Sequence, residues 1–208
     1  TELTRKAVIF EFTGIHCTNC PQGHEALNQI DSVYHGHVIP ISIHAGYFAT
    51  PFTGEPDFRT PFGNQLYEEL GEPVTPSVVI GSVASSNVIE GGPTTWQGEV
   101  GNVIPDYTKI IVEPELTFDG NEINVTFHLQ QRQIIENPLL FYALIIEDNI
   151  IGPQLGTDIS PYTHRHVLRK SMGSISGTNI TFTDGVADVS YSLDVEPDWN
   201  IQNISVVG

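Results

Sequence analysis

The stretch that decides the fold reads Ala7-Val8-Ile9-Phe10-Glu11-Phe12-Thr13-Gly14-Ile15-His16-Cys17-Thr18-Asn19-Cys20-Pro21. Its opening is an apolar run rich in β-branched and aromatic residues, bounded by Gly14, which is the pattern of a buried strand. From Pro21 to about Tyr34 the residues Ala26, Leu27, Ile30, Val33 and Tyr34 fall at helical spacing. Proline suits the first turn of a helix, where no amide donor is needed. The only two cysteines of the chain, Cys17 and Cys20, therefore sit where a strand gives way to a helix.

Working outward, residues 37–43 form a second candidate strand. Residues 45–60 are rich in Pro and Gly but carry Tyr47, Phe48, Phe52 and Phe58. Connections longer than ~12–15 residues are uncommon in compact domains and often functional. This one reads either as a rim over the sulfurs or as a loop held down by its own aromatics. Residues 62–70 have the pattern of a short helix stopped by Gly71, and residues 74–80, with Thr75-Pro76 near their start, that of a third strand. Strand, helix, strand, helix, strand is an α/β order.

The second half changes character. Residues 110–118, 122–130, 139–147, 166–169, 178–182, 187–195 and 201–207 are candidate strands, with hairpin signals at Asp119-Gly120-Asn121 and Asp184-Gly185. Short strands without a convincing helix point to an immunoglobulin-like β-sandwich, here without an inter-sheet disulfide because no cysteine follows residue 20. Gly91, Gly92, Pro93, Gly98, Gly101 and Pro105 thin out regular structure before it. The expected division is an α/β domain over residues 1–104 and an all-β domain over residues 105–208.

Charge narrows the functions open to the chain. Its 208 residues carry 25 acids against 8 bases, a net charge of -17. Phosphate backbones and anionic lipid surfaces are bound through clustered Lys and Arg, so neither a nucleic acid nor a lipid headgroup is an expected partner. The excess is even: 11 acids against 3 bases in residues 1–104 and 14 against 5 in the rest, the sign of a solvated surface. No apolar run approaches the ~18 residues of a membrane-spanning helix. The chain opens without the charged and apolar regions of an export signal, so such a signal is expected to be removed or never present.

Cys17-Thr18-Asn19-Cys20 has the spacing that thiol–disulfide exchange requires. Unpaired N–H groups and the dipole at a helix start favour the thiolate of a first cysteine. Two intervening residues let the second sulfur reach back to resolve a mixed disulfide. Glu11, six residues before Cys17, stands in an otherwise apolar strand. Burial raises a carboxyl pKa, which makes Glu11 a candidate to accept or relay the proton of the resolving thiol. A cis bond at Thr75-Pro76 would set backbone beside the sulfurs to receive an extended segment. Two plainer readings stay open: an inert local disulfide, and zinc held by Cys17, Cys20 and a histidine, His16 or His24. His16 reads either as tuning Cys17 or as a loop residue facing solvent, and His164 and His166 as surface or packing residues.

The strand, the CxxC at a helix start, the carboxylate six residues earlier and the later Thr-Pro strand resemble the thioredoxin-like superfamily over about residues 5–95. Glu11-Phe12-Thr13-Gly14 with His16-Cys17-Thr18-Asn19-Cys20-Pro21-Gln22-Gly23-His24, and Tyr162-Thr163-His164-Arg165-His166-Val167-Leu168-Arg169, are similar to the outer-membrane protein 28-related family of Bacteroidetes-type bacteria. The resemblance implies a thioredoxin-like first domain, a β-sandwich second domain and a place in the cell envelope through a lipid anchor outside these residues. It assigns Cys17 as the exposed attacking thiol, Cys20 as the resolving thiol, Glu11 as the buried carboxylate and Pro76 as the cis proline. His16 replaces the tryptophan usual in thioredoxins, and Thr18-Asn19 their Gly-Pro. The expected activity is thiol–disulfide exchange on protein thiols or disulfides, with no cofactor beyond the Cys17-Cys20 disulfide and no metal. The alternative is an envelope binding or scaffold protein whose thioredoxin fold is catalytically idle.

Overall fold

Strand β1 (Ala7–Thr13) is buried at six of its seven positions, as a strand covered on both faces must be. It lies parallel to β2 (Val38–His44) and antiparallel to β3 (Ser77–Ile80), in a register that sets Glu11 between Ser42 and Val78. Helix α1 (Cys20–Tyr34) buries Cys20, Gly23, Ala26, Leu27 and Ile30, one stripe at three- and four-residue intervals. The computed structural model describes residues 5–34, 36–81, 87–90, 92–104, 107–135 and 138–208.

Helix α2 (Pro61–Glu69) is shifted by one residue from the expected 62–70. Thr60 caps it, its Oγ1 accepting from the Gly63 N–H at 3.0 Å, and Pro61 fills the first turn. Helix α3 (Pro93–Val103) is not anticipated by the sequence reading, which takes its glycines as breakers. Gly92 precedes it at φ 85, a conformation that suits glycine. Trp96 and Val100, four apart, are then buried beside Ile9, Leu27, Ile30 and Val78. Tertiary burial outweighs the weak helix propensity of Gly98 and Gly101. Gly91 and Pro105, also taken as breakers, lie outside the described residues.

After α3 come β4 (Ile110–Asp119), β5 (Glu122–Gln131), β6 (Leu139–Phe141) and β7 (Ala143–Glu147). Next are β8 (Ile150–Gly152), β9 (Tyr162–His164) and β10 (Val167–Met172), then β11 (Thr178–Ile180), β12 (Val186–Asp194) and β13 (Ile204–Val207). The expected strand from residue 166 begins one residue later, because His166 has φ 54, outside the extended region. The chain divides into two compact units, Thr1–Tyr107 with Asp148–Arg169, and Thr108–Glu147 with Lys170–Gly208. The first crossing falls within three residues of the expected boundary at 104/105. The second half is not one continuous domain, however, since Asp148–Arg169 belongs with the first unit.

That returning segment makes a short antiparallel ribbon of β8 and β9, then joins β2 through the pairing of Val167 with Ser42. Ile150 and Val167 pack with Ile15 and Phe58 in a small apolar cluster of the first unit. Strands of three residues are too short for periodicity to show, which is why the sequence reading misses both. In the second unit β4, β5 and β12 form an antiparallel sheet with β5 central. Pro114 is tolerated on the edge strand β4. Asp184 (φ 52) and Gly185 (φ 80) make the two-residue turn leading into β12 that the sequence signals. Ile123, Val125, Phe127 and Leu129 of β5 form the inner face, packed with Phe141, Ile145 and Met172.

Candidate functional site

The site is built on the C-terminal end of β1 and the first turns of α1. Glu11 is fully buried, 0% exposed, on a strand whose every neighbour is apolar or weakly polar. Ser42 Oγ, opposite it in register, donates to Glu11 Oε2 at 3.0 Å, while Oε1 has no hydrogen-bond partner. Burial pushes the carboxyl up to about 8, outweighing the Ser42 hydrogen bond, which pulls the other way. At neutral pH Glu11 is therefore a protonated acid. Gly23 is what admits it beneath the helix: a Cβ there would come within 2.6 Å of Glu11 Oε1 and 2.9 Å of Pro76 Cβ. Glu11, Gly23 and Pro76 thus meet under the first turns of α1, and the Thr75–Pro76 peptide is cis.

Cys17 and Cys20 are bonded to each other, with their Cα atoms 5.4 Å apart. The chain turns tightly through them: the Cys17 N–H donates to Gly14 O at 3.0 Å and the Cys20 N–H to Cys17 O at 3.3 Å. Thr18 and Asn19 are exposed, but the sulfur-bearing residues are not: Cys17 is 3% exposed and Cys20 0%. The expectation of an open attacking thiol is corrected here. The cover comes from residues 154–156, in the segment that returns to this unit. Gln154 Nε2 donates to the carbonyls of Gly14 (3.3 Å) and Cys17 (3.1 Å), and the Leu155 N–H donates to Ile15 O at 2.8 Å. Gly156, at φ 83, lies so close to Thr18 that an added Cβ would collide with the Thr18 carbonyl oxygen. Nothing local in the sequence marks this strap, since its partners are about 140 residues away.

Next to Glu11 lies a group of histidines. His24 Nε2 is 2.9 Å from Thr13 Oγ1 and 3.9 Å from Glu11 Oε1, and its Nδ1 is 2.6 Å from the Tyr162 hydroxyl. His164 ends β9; its Nε2 donates to Pro153 O at 3.1 Å, and its ring meets those of His44 (5.6 Å) and Phe58 (5.1 Å). His44, at the end of β2, is buried with neither ring nitrogen hydrogen-bonded. Desolvation holds all three rings neutral, His24 at about 3, His164 at about 4 and His44 well below the usual range. A pocket of ≈ 50 Å³ opens among them, lined also by Leu27, Ser42 and Tyr162.

His164 is thus a buried packing residue. His166, on the turn into β10, instead pairs with Asp148, its Nδ1 3.3 Å from Oδ1. His16 faces the 45–60 loop, its Nε2 2.9 Å from Glu55 Oε2 and its ring stacked on Phe52 at 4.1 Å. In that loop Phe58 packs inward, whereas Tyr47 (85% exposed) and Phe52 (69%) project to solvent beside the Cys17 turn. Among the described residues no group of three or more His, Cys, Asp or Glu side chains is placed to hold a metal. Ser42, Thr13, His44, Gln154 and Tyr162 are site residues that the sequence reading did not single out. Ser42 carried a signal, as a polar residue within an apolar strand; Tyr162 lay in a segment marked only by resemblance.

Two solved structures share the fold. HBP35 of Porphyromonas gingivalis matches with a TM-score of 0.78 at 20% identity, covering 98% of this chain and 68% of that one. A protein of Agrobacterium tumefaciens matches with a TM-score of 0.60 at 15% identity, covering 93% of this chain and 80% of the other. No curated protein matches the chain by sequence. The family described as Outer membrane protein Omp28 matches residues 63–208, more than two thirds of the sequence. On that match, the chain belongs to the Omp28 outer membrane protein family.

Proposed function

We propose that the protein is a thiol–disulfide exchange protein of the cell envelope, working through Cys17 and Cys20, with Glu11 as the proton donor and acceptor for Cys20. The observation that carries the reading is Glu11. A fully buried carboxyl with one oxygen left without a hydrogen bond destabilises a fold, and an inert disulfide has no use for one. Family membership supports the envelope location. We infer also that the first unit is a thioredoxin-like domain, since a CxxC joins β1 to α1 with Thr75-Pro76 leading into β3. The antiparallel sheets of the second unit support an immunoglobulin-like β-sandwich. Partners are then protein thiols or disulfides of the envelope, and membrane attachment is through an anchor outside residues 1–208.

In the step itself a substrate thiolate attacks Cys17 Sγ. The Cys17–Cys20 bond breaks, a mixed disulfide forms on Cys17, and Cys20 leaves as a thiolate that takes the Glu11 proton. A second substrate thiolate then attacks the substrate sulfur of the mixed disulfide, and Cys17 leaves as a thiolate. The substrate dithiol is oxidised to a disulfide and the Cys17–Cys20 disulfide is reduced to a dithiol. Run backwards, the same steps reduce a substrate disulfide, with the Glu11 carboxylate taking the Cys20 proton. In either direction residues 154–156 must first swing away from Cys17, and the exposed Tyr47 and Phe52 rings offer an apolar edge to the arriving segment.

Equilibration in glutathione buffers, with a Cys20→Ser variant to trap the intermediate, tests the proposal. A mixed disulfide accumulating on Cys17 of the variant is the expected result. A disulfide that stays oxidised in every buffer, or a trap that forms on Cys20 of a Cys17→Ser variant instead, would end it. The burial of Cys17 favours a second reading, a scaffold in which the pair only braces the turn. Under that reading the Cys17→Ser, Cys20→Ser double variant keeps every partner and the wild type shows no reductase activity.

A further inference from the structure

A buried acid that gives up a proton in each cycle must be refilled from solvent, yet Glu11 has no exposed surface. Two routes leave it. Through Oε2 it reaches only the Ser42 hydroxyl. Through Oε1 it faces His24, which stands 3.9 Å away and is held by contacts on both ring nitrogens. Glu11 and Thr13, two apart on β1, point to the same side of the strand, so both present oxygen to Nε2. Beyond the ring, Nδ1 meets the hydroxyl of Tyr162, a half-buried residue at the start of β9. The pocket beside His24 and Tyr162, ≈ 50 Å³, is lined by Ser42, His44 and His164 as well as Leu27, and has room for about three to five waters at ~10–15 Å³ each.

We propose that Tyr162 and His24 form the proton path between solvent and Glu11. This rests on the exchange reading of Cys17 and Cys20, for which both are positioning residues and neither touches substrate. After Glu11 has protonated Cys20, the carboxylate takes a proton from His24 Nε2 across the 3.9 Å between them, which a small swing of the ring closes. Nδ1 takes the Tyr162 proton in turn, and water reprotonates the phenol. One proton enters from solvent for each one delivered to sulfur, and nothing on the path is oxidised or reduced. The ring is suited to this because desolvation keeps it neutral, with one N–H and one lone pair. The phenol, pushed up to about 12, stays protonated as both donor and acceptor. The other titratable groups facing the path are His164 and His44 beside His24, Arg169 beside His44, and Glu25 and Arg165 beside Tyr162.

The direct test follows the Glu11 proton itself. In the oxidised protein below pH 8, infrared spectroscopy reads the hydrogen–deuterium exchange of the buried carboxyl, assigned by its absence in Glu11→Gln. Tyr162→Phe is expected to slow that exchange by about tenfold or more, a modest share of what positioned proton transfer supplies. Tyr142→Phe, on the second unit, is expected to leave it unchanged. A fluorinated tyrosine at position 162, which keeps the shape and alters the acidity, is expected to move the rate, as a merely structural phenol would not; it also serves if Tyr162→Phe folds poorly. Equal carboxyl exchange in wild type, Tyr162→Phe and the fluorinated protein overturns the path, whether or not the protein exchanges disulfides. Slowed carboxyl exchange in a protein that never forms a mixed disulfide on Cys17 upholds the path and removes the function instead.

Discussion

At Glu11 burial and charge oppose each other, and the conflict has a measurable signature. An ordinary glutamate loses its proton near 4.5 and Glu11 in the folded chain near 8, so between those values the folded state holds a proton that the unfolded chain has released. The contribution of this group is full below about pH 4.5, falls as pH rises to about 8, and is level above that. Glu11→Gln stays neutral throughout. It is expected to be more stable than wild type by a margin that grows across that window to a few kcal/mol, read by urea unfolding at a series of pH values. The same variant is expected to lose about a hundredfold in the rate of disulfide exchange, the low end for a removed general acid. A buried residue that weakens the fold is legible in sequence, because a lone carboxylate in Val-Ile-Phe-Glu-Phe breaks the apolar run at a cost to the strand that carries it. Its partners are not so legible. Ser42 is 31 residues away and Tyr162 lies in the other half of the chain.

At the scale of elements the strap and α3 carry the predictions. Gln154→Ala removes two donated hydrogen bonds at the Cys17 turn, each worth ~0.5–1.5 kcal/mol net, so opening becomes easier by about tenfold. Reduction of the disulfide by a small dithiol is expected to speed up by the same factor, and an unchanged rate would show that the strap does not govern access. Gly156→Ala, which combines a left-handed backbone with a collision at Thr18, is expected to act in the same direction and more strongly. Trp96→Ala empties the largest side chain of the first core and is expected to cost ~3–5 kcal/mol by thermal or urea unfolding. The helix carrying Trp96 shows how the sequence reading goes wrong. Four glycines and two prolines between residues 91 and 105 read as punctuation. Pro93 instead starts the helix, and the four-residue spacing of Trp96 and Val100 anchors it.

At the scale of the molecule, the Cys17–Cys20 bond closes a loop of four residues, too short to constrain the unfolded chain much. The double variant Cys17→Ser, Cys20→Ser is therefore expected to keep its fold and lose no more than about 2 kcal/mol, measured against the oxidised wild type. A larger loss would mark the disulfide as a structural staple.

The sequence by itself determined the local grammar: a buried strand running into a CxxC at a helix start, a carboxylate within that strand, and the tight turn at Asp184-Gly185. Each of these is dictated by side-chain periodicity or backbone conformation over a few residues. Only the tertiary structure decided that Cys17 is covered, that Asp148–Arg169 returns to the first unit, and that His24 meets Tyr162 across 138 positions. Such contacts come from how the chain closes on itself, and closure over that distance leaves no repeating pattern in the residues that make it.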